Sequence, residues 1–238
     1  MLGKCVFLVI MLYDLTLPLN DDTILIPGGG NAFKAETILS IEQGHAAAVH
    51  SFSQSTHVGT HMDAAAHYIG GGRTIDQIEL DVLIGPAQVI DLREYSGEYI
   101  TSDILEKEAS HIEKGDRLLM ITGDVDKYFH RAENPQIKTL FEEGACFSVD
   151  GAKWLVDNGV RMAANDFVTE STKDAKTKTF DADRPVHNLL CGADIAIPEY
   201  LCNTDKVVEE KSIDLFCLPL PITGFEAAPT RVIARTYD

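Results

Sequence analysis

Residues 55–68 read STHVGTHMDAAAHY, and this stretch gathers three of the chain's eight histidines and one aspartate within eleven positions. His57, Gly59, His61, Asp63 and His67 share one parity. A straight strand would put them on one face but hold His57 and His61 roughly 13 Å apart. Two ligands of one ion, each about 2 Å from it, cannot stand that far from one another. A helix would bring i and i+4 together, but residues 56–60 (THVGT) are poor in helix formers. The stretch is therefore expected to be a loop bent at Gly59, where the missing Cβ permits a tight turn and a close approach to a ligand. Neutral imidazole and carboxylate are donors for a zinc-like or manganese-like ion. Two histidines and a carboxylate leave coordination positions open, as a catalytic centre requires. The alternative is a set of ordinary loop histidines with separate hydrogen-bond partners.

Outward from this loop, apolar β-rich runs recur at residues 6–12, 82–90, 117–122, 160–164 and 231–236. Helical patterns fall between some of them. One is expected to start near Ser102 as N-cap, one at Asn134–Pro135, and one to run from Ser148 to Asn158 and stop at Gly159. This alternation predicts a mixed α/β fold. No linker or repeat divides the chain, so residues 1–238 are expected to form a single domain. GGGR at 70–73 and the polar stretch at 170–184 read as surface loops or as flaps over a nearby site. PGGGN at 27–31 lacks the Gly-Lys-Ser/Thr ending of a phosphate-binding loop and reads as a turn.

Composition narrows the function classes. A formal net charge of −17 over 238 residues argues against nucleic acid or an anionic membrane as partner. Cys5, Cys146, Cys191, Cys202 and Cys217 form no C-x-x-C pair and read as buried reduced thiols of a cytoplasmic protein. The opening MLGKCVFLVIML is slightly signal-like but lacks a small-residue cleavage site, and is expected to be a buried first strand; it is too short to span a bilayer. No G-x-S-x-G elbow is present, and nothing marks a cysteine as an activated nucleophile.

The segment from His57 to His67 resembles the H-x-G-T-H-x-D-x-P-x-H signature of the cyclase-like metal-dependent hydrolases, which include kynurenine formamidases and isatin hydrolases. Ala65 stands where that signature has proline. YDLT at 13–16, PG at 27–28, GDRLLMITG at 115–123, WLVDNGV at 154–160 and LPLPITGFEAAPTRV at 218–232 are similar to further family segments. The resemblance implies a swivelling β/β/α arrangement of mixed sheets flanked by helices. It also implies one or two divalent ions, zinc first, with manganese or iron(II) open. His57, His61 and Asp63 would hold one ion; Asp63, His187 and Glu199 would hold the other. Taken alone, His187 is a polar contact and Glu199 a charge at a helix start beginning at Pro198.

The activity the resemblance implies is metal-assisted hydrolysis of an amide, with His67 as general acid–base. Kynurenine formamidase chemistry in tryptophan breakdown is the first expectation. The closest alternative opens a cyclic imide, lactam or lactone, and a metal-binding protein without catalysis is a different class again. Formamidases similar to this chain place an aromatic residue after Pro27; here Phe33 is the candidate, since Trp154 reads as helix core. The partners expected are a small-molecule amide, imide or lactone and a second copy of the chain, as a homodimer or larger homo-oligomer. Asn165–Asp166 resembles a segment of the site rim and has no assigned role.

Overall fold

The computed structural model describes residues 10–20, 23, 30–132, 137–171 and 184–237. Its strands are β1 (Ile10–Asp14), β2 (Lys34–Leu39), β3 (Val49–Ser53), β4 (His61–Asp63), β5 (Ile84–Asp91), β6 (Tyr99–Ile100), β7 (Arg117–Ile121), β8 (Cys146–Phe147), β9 (Met162–Asn165), β10 (Ile197–Glu199), β11 (Ser212–Pro219) and β12 (Ala227–Tyr237). Its α-helices are α1 (Leu80–Leu83), α2 (Ser102–Ala109), α3 (Ile137–Glu143), α4 (Val149–Asp157) and α5 (Pro185–Gly192).

The main sheet runs in the order β10-β4-β12-β11-β5-β7-β9, with β1 also paired to β12. The pairs β5–β7 and β7–β9 are parallel, and the rest are antiparallel. A parallel bridge between Met162 and Ala196, just before β10, joins the two ends of this order and curls the sheet round on itself. One face encloses a core that includes Met62, Leu119, Leu215 and Val232. The other packs Leu118, Met120 and Ala163 against Leu105, Leu155 and Leu190 of the helices. Strands buried on both faces read as continuous apolar runs, which is why LLMI at 118–121 carried no alternation.

The expected mixed α/β architecture is therefore present, with boundaries that differ for local reasons. Ser148 caps α4 by accepting the Gly151 N–H at 3.1 Å, and the helix stops at Asn158 with Gly159 at φ +66°. Ser102 is not the cap of α2. Thr101 precedes the helix and accepts the Ile104 N–H at 3.4 Å, while Ser102 donates through both its N–H and its hydroxyl to Asp150. The start of α3 at 134–135 lies outside the described residues. The first strand is not buried where it is described: Ile10 is 52% and Leu12 65% exposed, because β1 sits on the outer edge of β12 and no further strand pairs with it among the described residues. Pro198–Glu199 is not a helix start. Ile197–Glu199 pairs antiparallel with β4 at the end of the sheet order, where a proline lacking its N–H is tolerated.

Candidate metal centre

The sheet assembles the site. On β4, His61 and Asp63 are two residues apart and so lie on one face. The antiparallel register sets Glu199 of β10 directly opposite His61, and such cross-strand side chains stand about 5 Å apart. His57 reaches the same place because the chain turns at Gly59, φ +65°, where a Cβ would stand 2.8 Å from Thr23 Cγ2. The expected bent loop is thus present: the His57 and His61 ring centroids are 5.0 Å apart. Beyond Asp63 a single 3₁₀ turn, Ala65–His67, returns His67 so that its Nε2 lies 3.7 Å from Asp63 Oδ2. Ala65 forms this turn without the family's proline. His187, in the first turn of α5, brings Nε2 to 3.8 Å from Asp63 Oδ2 and 3.7 Å from Glu199 Oε1. All six residues singled out in the sequence therefore converge.

The imidazole orientations decide what the cluster can hold. His61 Nδ1 lies 2.9 Å from the Gly59 carbonyl oxygen, which can only accept, so Nδ1 carries the proton. The Nε2 lone pair then faces Asp63 Oδ1 and Glu199 Oε2, each at 3.4 Å. His187 repeats the pattern: Nδ1 donates to Glu170 Oε2 at 2.8 Å, leaving Nε2 towards Asp63 and Glu199. His57 is held from the far side, with Nε2 3.3 Å from Glu226 Oε1 and Nδ1 2.9 Å from Asp63 Oδ1. Apart from one another, His57 Nδ1, His61 Nε2 and both Asp63 oxygens are buried without a hydrogen-bond partner among the described residues. Lone pairs and carboxylate oxygens turned towards one another are unfavourable unless a cation stands between them. The donor set therefore fits a divalent ion. Within this centre the sets whose ligand atoms all lie within 4.8 Å are His57–Asp63–His67 and His61–Asp63–Glu199, with Asp63 common to both; these are not the triads the resemblance implied, since His67 joins one of them and His187 stands in neither.

The electrostatics agree. Burial opposes charge on His57, yet Asp63 and Glu226 outweigh it and raise the imidazole to about 10. Burial likewise opposes charge on His187, but Glu170 and Glu199 bring it to about 10. Asp63 and Glu199 are held below the usual carboxylate range despite their burial, by His57 and His187 respectively. The centre thus demands positive charge, from protons on the histidines or from an ion that replaces them. His67 is the exception. Burial, with the neighbouring His57 and His187, lowers it to about 4 against the pull of Asp63, so it is neutral at pH 7 and able to accept a proton.

Sequence reasoning missed the groups behind the histidines. Glu170 accepts from the N–H groups of Val186 and His187 as well as from the His187 ring. Glu226, lowered to about 2 by His57, also accepts the Thr56 hydroxyl at 2.6 Å. Thr60 ties the loop down, accepting the Leu17 N–H and donating to the Tyr200 carbonyl. Tyr68 stacks on His187 with ring centroids 5.1 Å apart. Asp166 fastens the adjoining chain, accepting from the Thr122 and Gly123 N–H groups and the Thr204 hydroxyl. Thr60 stands in the signature, Asp166 in the rim segment and Glu226 in the 218–232 family segment, but nothing local gives any of these residues its role, because their partners lie far off in the chain. The GGGR turn is pinned rather than free, since Arg73 pairs with Asp194 at 2.8 Å. Residues 172–183 of the polar loop and 27–29 of the glycine-rich turn lie outside the described residues, and Phe33 stacks on Phe52 at 5.8 Å. Trp154 is half-buried on α4, its Nε1 donating to Glu106.

A curled mixed sheet that carries a histidine–carboxylate centre suited to a divalent cation is the class these observations define. A family model described as "putative cyclase" matches residues 13–170, and the chain belongs to that family. It is 34% identical over 202 residues to cyclase-like protein 1 of Arabidopsis thaliana, covering 82% of this chain and 72% of that protein. It is 28% identical over 222 residues to kynurenine formamidase of Bacillus anthracis, covering 93% and 96%. Isatin hydrolase A from Ralstonia solanacearum superposes with a TM-score of 0.79 at 26% identity, covering 95% of this chain and 92% of that one.

Proposed function

We propose that this chain, acting as one domain over residues 1–238, is a metal-dependent hydrolase that cleaves the C–N bond of a small amide with water. N-formylkynurenine or a simpler aryl formamide is the leading substrate class. The observation that carries the reading is the convergence of the His57, His61 and His187 lone pairs on Asp63 and Glu199, each ring held from behind by an acceptor. His57, His61, Asp63, His187 and Glu199 would hold one or two ions, zinc first among them, with manganese or iron(II) also suited to these donors. When bound, such an ion lowers the pKa of water towards ~7 and polarises a carbonyl. Asp63, common to both donor sets, holds them together. Neutral His67 takes a proton from the attacking water at Nε2 and returns it to the departing nitrogen, which a poor leaving group such as an amide requires. Tyr68 walls the site beside His187.

A second reading, opening of a cyclic imide, lactam or lactone, is supported by the fold likeness to isatin hydrolase. The two are separated by kcat/KM for N-formylkynurenine, isatin and a small lactone on protein of known metal content. A rate for isatin or the lactone more than about tenfold higher, ~1.4 kcal/mol of transition-state stabilisation, refutes the formamide reading.

The protein is further proposed to work as a homodimer or larger homo-oligomer in the cytoplasm. The β2–β3 hairpin supports self-association: Ile38, Val49 and Phe52 are 51%, 43% and 60% exposed, and a bare two-stranded hairpin is marginal in water. Buried Cys191, Cys202 and Cys217, none of them in a disulfide, support the compartment. Light scattering of Phe52→Asp tests the hairpin, and unchanged mass from an oligomeric wild type refutes it.

A further inference from the structure

A second convergence of ligand atoms lies away from the histidine–carboxylate centre. Residues Asp126–His130 form a π-helical turn, a rare form that concentrates at functional sites. It presents Asp126 and His130 on the same side, facing Cys202 in the segment that leaves β10. One carboxylate oxygen, one imidazole nitrogen and the Cys202 sulfur all lie within 4.8 Å of one another. Cys202 is fully buried. Asp126 Oδ2 accepts the Asn203 N–H at 2.8 Å, but Oδ1 is buried and no described residue hydrogen-bonds it. His130 lines a cleft of 620 Å³ together with Leu17, Asn203 and Arg231, which gives the cluster a route to solvent.

We propose that Asp126, His130 and Cys202 form a separate binding site for one borderline-soft divalent cation of the zinc class. Thiolate, imidazole and carboxylate together are the donor mixture such an ion takes, at about 2.3, 2.0 and 2.1 Å. Tetrahedral bonds of those lengths set donors ~3.5 Å apart, so each side chain closes by about 1 Å or less. The fourth position opens on the cleft. Arg131, 3.6 Å from Asp126 Oδ2, is already engaged by Asp205 at 2.9 and 2.8 Å and by Asn203 Oδ1 at 2.9 Å. An ion there would fasten the π-helical turn to the strand exit three residues beyond Glu199.

The test uses the metal-stripped full chain titrated with Co²⁺. The centre around Asp63 has no thiolate ligand, so a sulfur-to-cobalt charge-transfer band in the near ultraviolet reports this second site alone. The band is expected in the wild type and in Cys191→Ser, and is expected to vanish in Cys202→Ser. His130→Ala, at a half-buried position, keeps the fold in view should Cys202→Ser not fold, and is expected to weaken the binding that produces the band by at least ~10-fold. No band in the wild type, a band undiminished in folded Cys202→Ser, its loss in folded Cys191→Ser, or unchanged binding in His130→Ala overturns the proposal.

Discussion

Glu170→Gln isolates the group that aims His187. The carboxylate accepts three N–H donors: the Val186 backbone at 3.2 Å, the His187 backbone at 3.1 Å and the His187 ring at 2.8 Å. It thereby fixes which ring nitrogen faces Asp63 and Glu199. Glutamine keeps the volume but not the charge: both His187 donors share Oε2, so its one oxygen can keep them while its NH₂ faces the Val186 N–H, and the ring bond survives only as a neutral one. A charge-assisted bond contributes about 1.5–3 kcal/mol, and a carboxylate facing the first turn of α5 adds about 0.3–1 kcal/mol from the helix dipole. The ring bond is the shortest of the three and the one that acts on the centre. Loss of its charge assistance is expected to weaken the ion bound with His187 by about 10-fold, ~1.4 kcal/mol, the low end of the usual range for a partner behind a metal-bound histidine. The assay is chelator competition on the purified variant, with thermal unfolding in parallel. Lowered thermal stability with metal affinity within about threefold of wild type, ~0.6 kcal/mol, would refute the reasoning, since Glu170 would then only cap α5.

Two further outcomes follow from the same geometry. His67→Ala is expected to retain the bound metal and lose about 10²–10⁴ in rate; loss of metal together with activity would instead place His67 among the ligands, as its grouping with His57 and Asp63 allows. The metal-free protein is expected to lose stability as pH rises from 6.5 to about 10. His57 and His187 titrate at about 10 folded against 6.5 unfolded, so their contribution is complete below 6.5 and gone above 10. Asp63 and Glu199, held below 3.8 and 4.5, contribute above those values and lose that contribution as pH falls through their folded values. Thermal melts at about pH 6 and about pH 9.5, with and without chelator, check this. A chelated protein equally stable at both would contradict it, and bound metal should flatten the alkaline slope because both rings are then neutral.

The centre was legible in the sequence to the extent that it is local. His57, His61, Asp63 and His67 announce themselves because a cation needs several donors close together, and a bend at Gly59 is the cheapest way to gather them from one short segment. His187 and Glu199 became legible only through family resemblance, because their nearness to Asp63 is made by strand register and by α5 rather than by spacing. Glu199 shows the limit most sharply. A proline followed by a glutamate reads locally as a helix start, and only the pairing of β10 with β4, 134–138 residues away in the chain, turns it into a strand; Ile197 faces Asp63 and Glu199 faces His61. The same limit hid Glu170 and Glu226, which look like solvated charges until the fold sets them behind two histidines. It also hid the exposure of β1, whose apolar run carries no sign of whether a neighbour will cover it. The local donors and the Gly59 carbonyl that turns His61 thus lie within one motif, while the acceptors that hold His57 and His187 come from far along the chain.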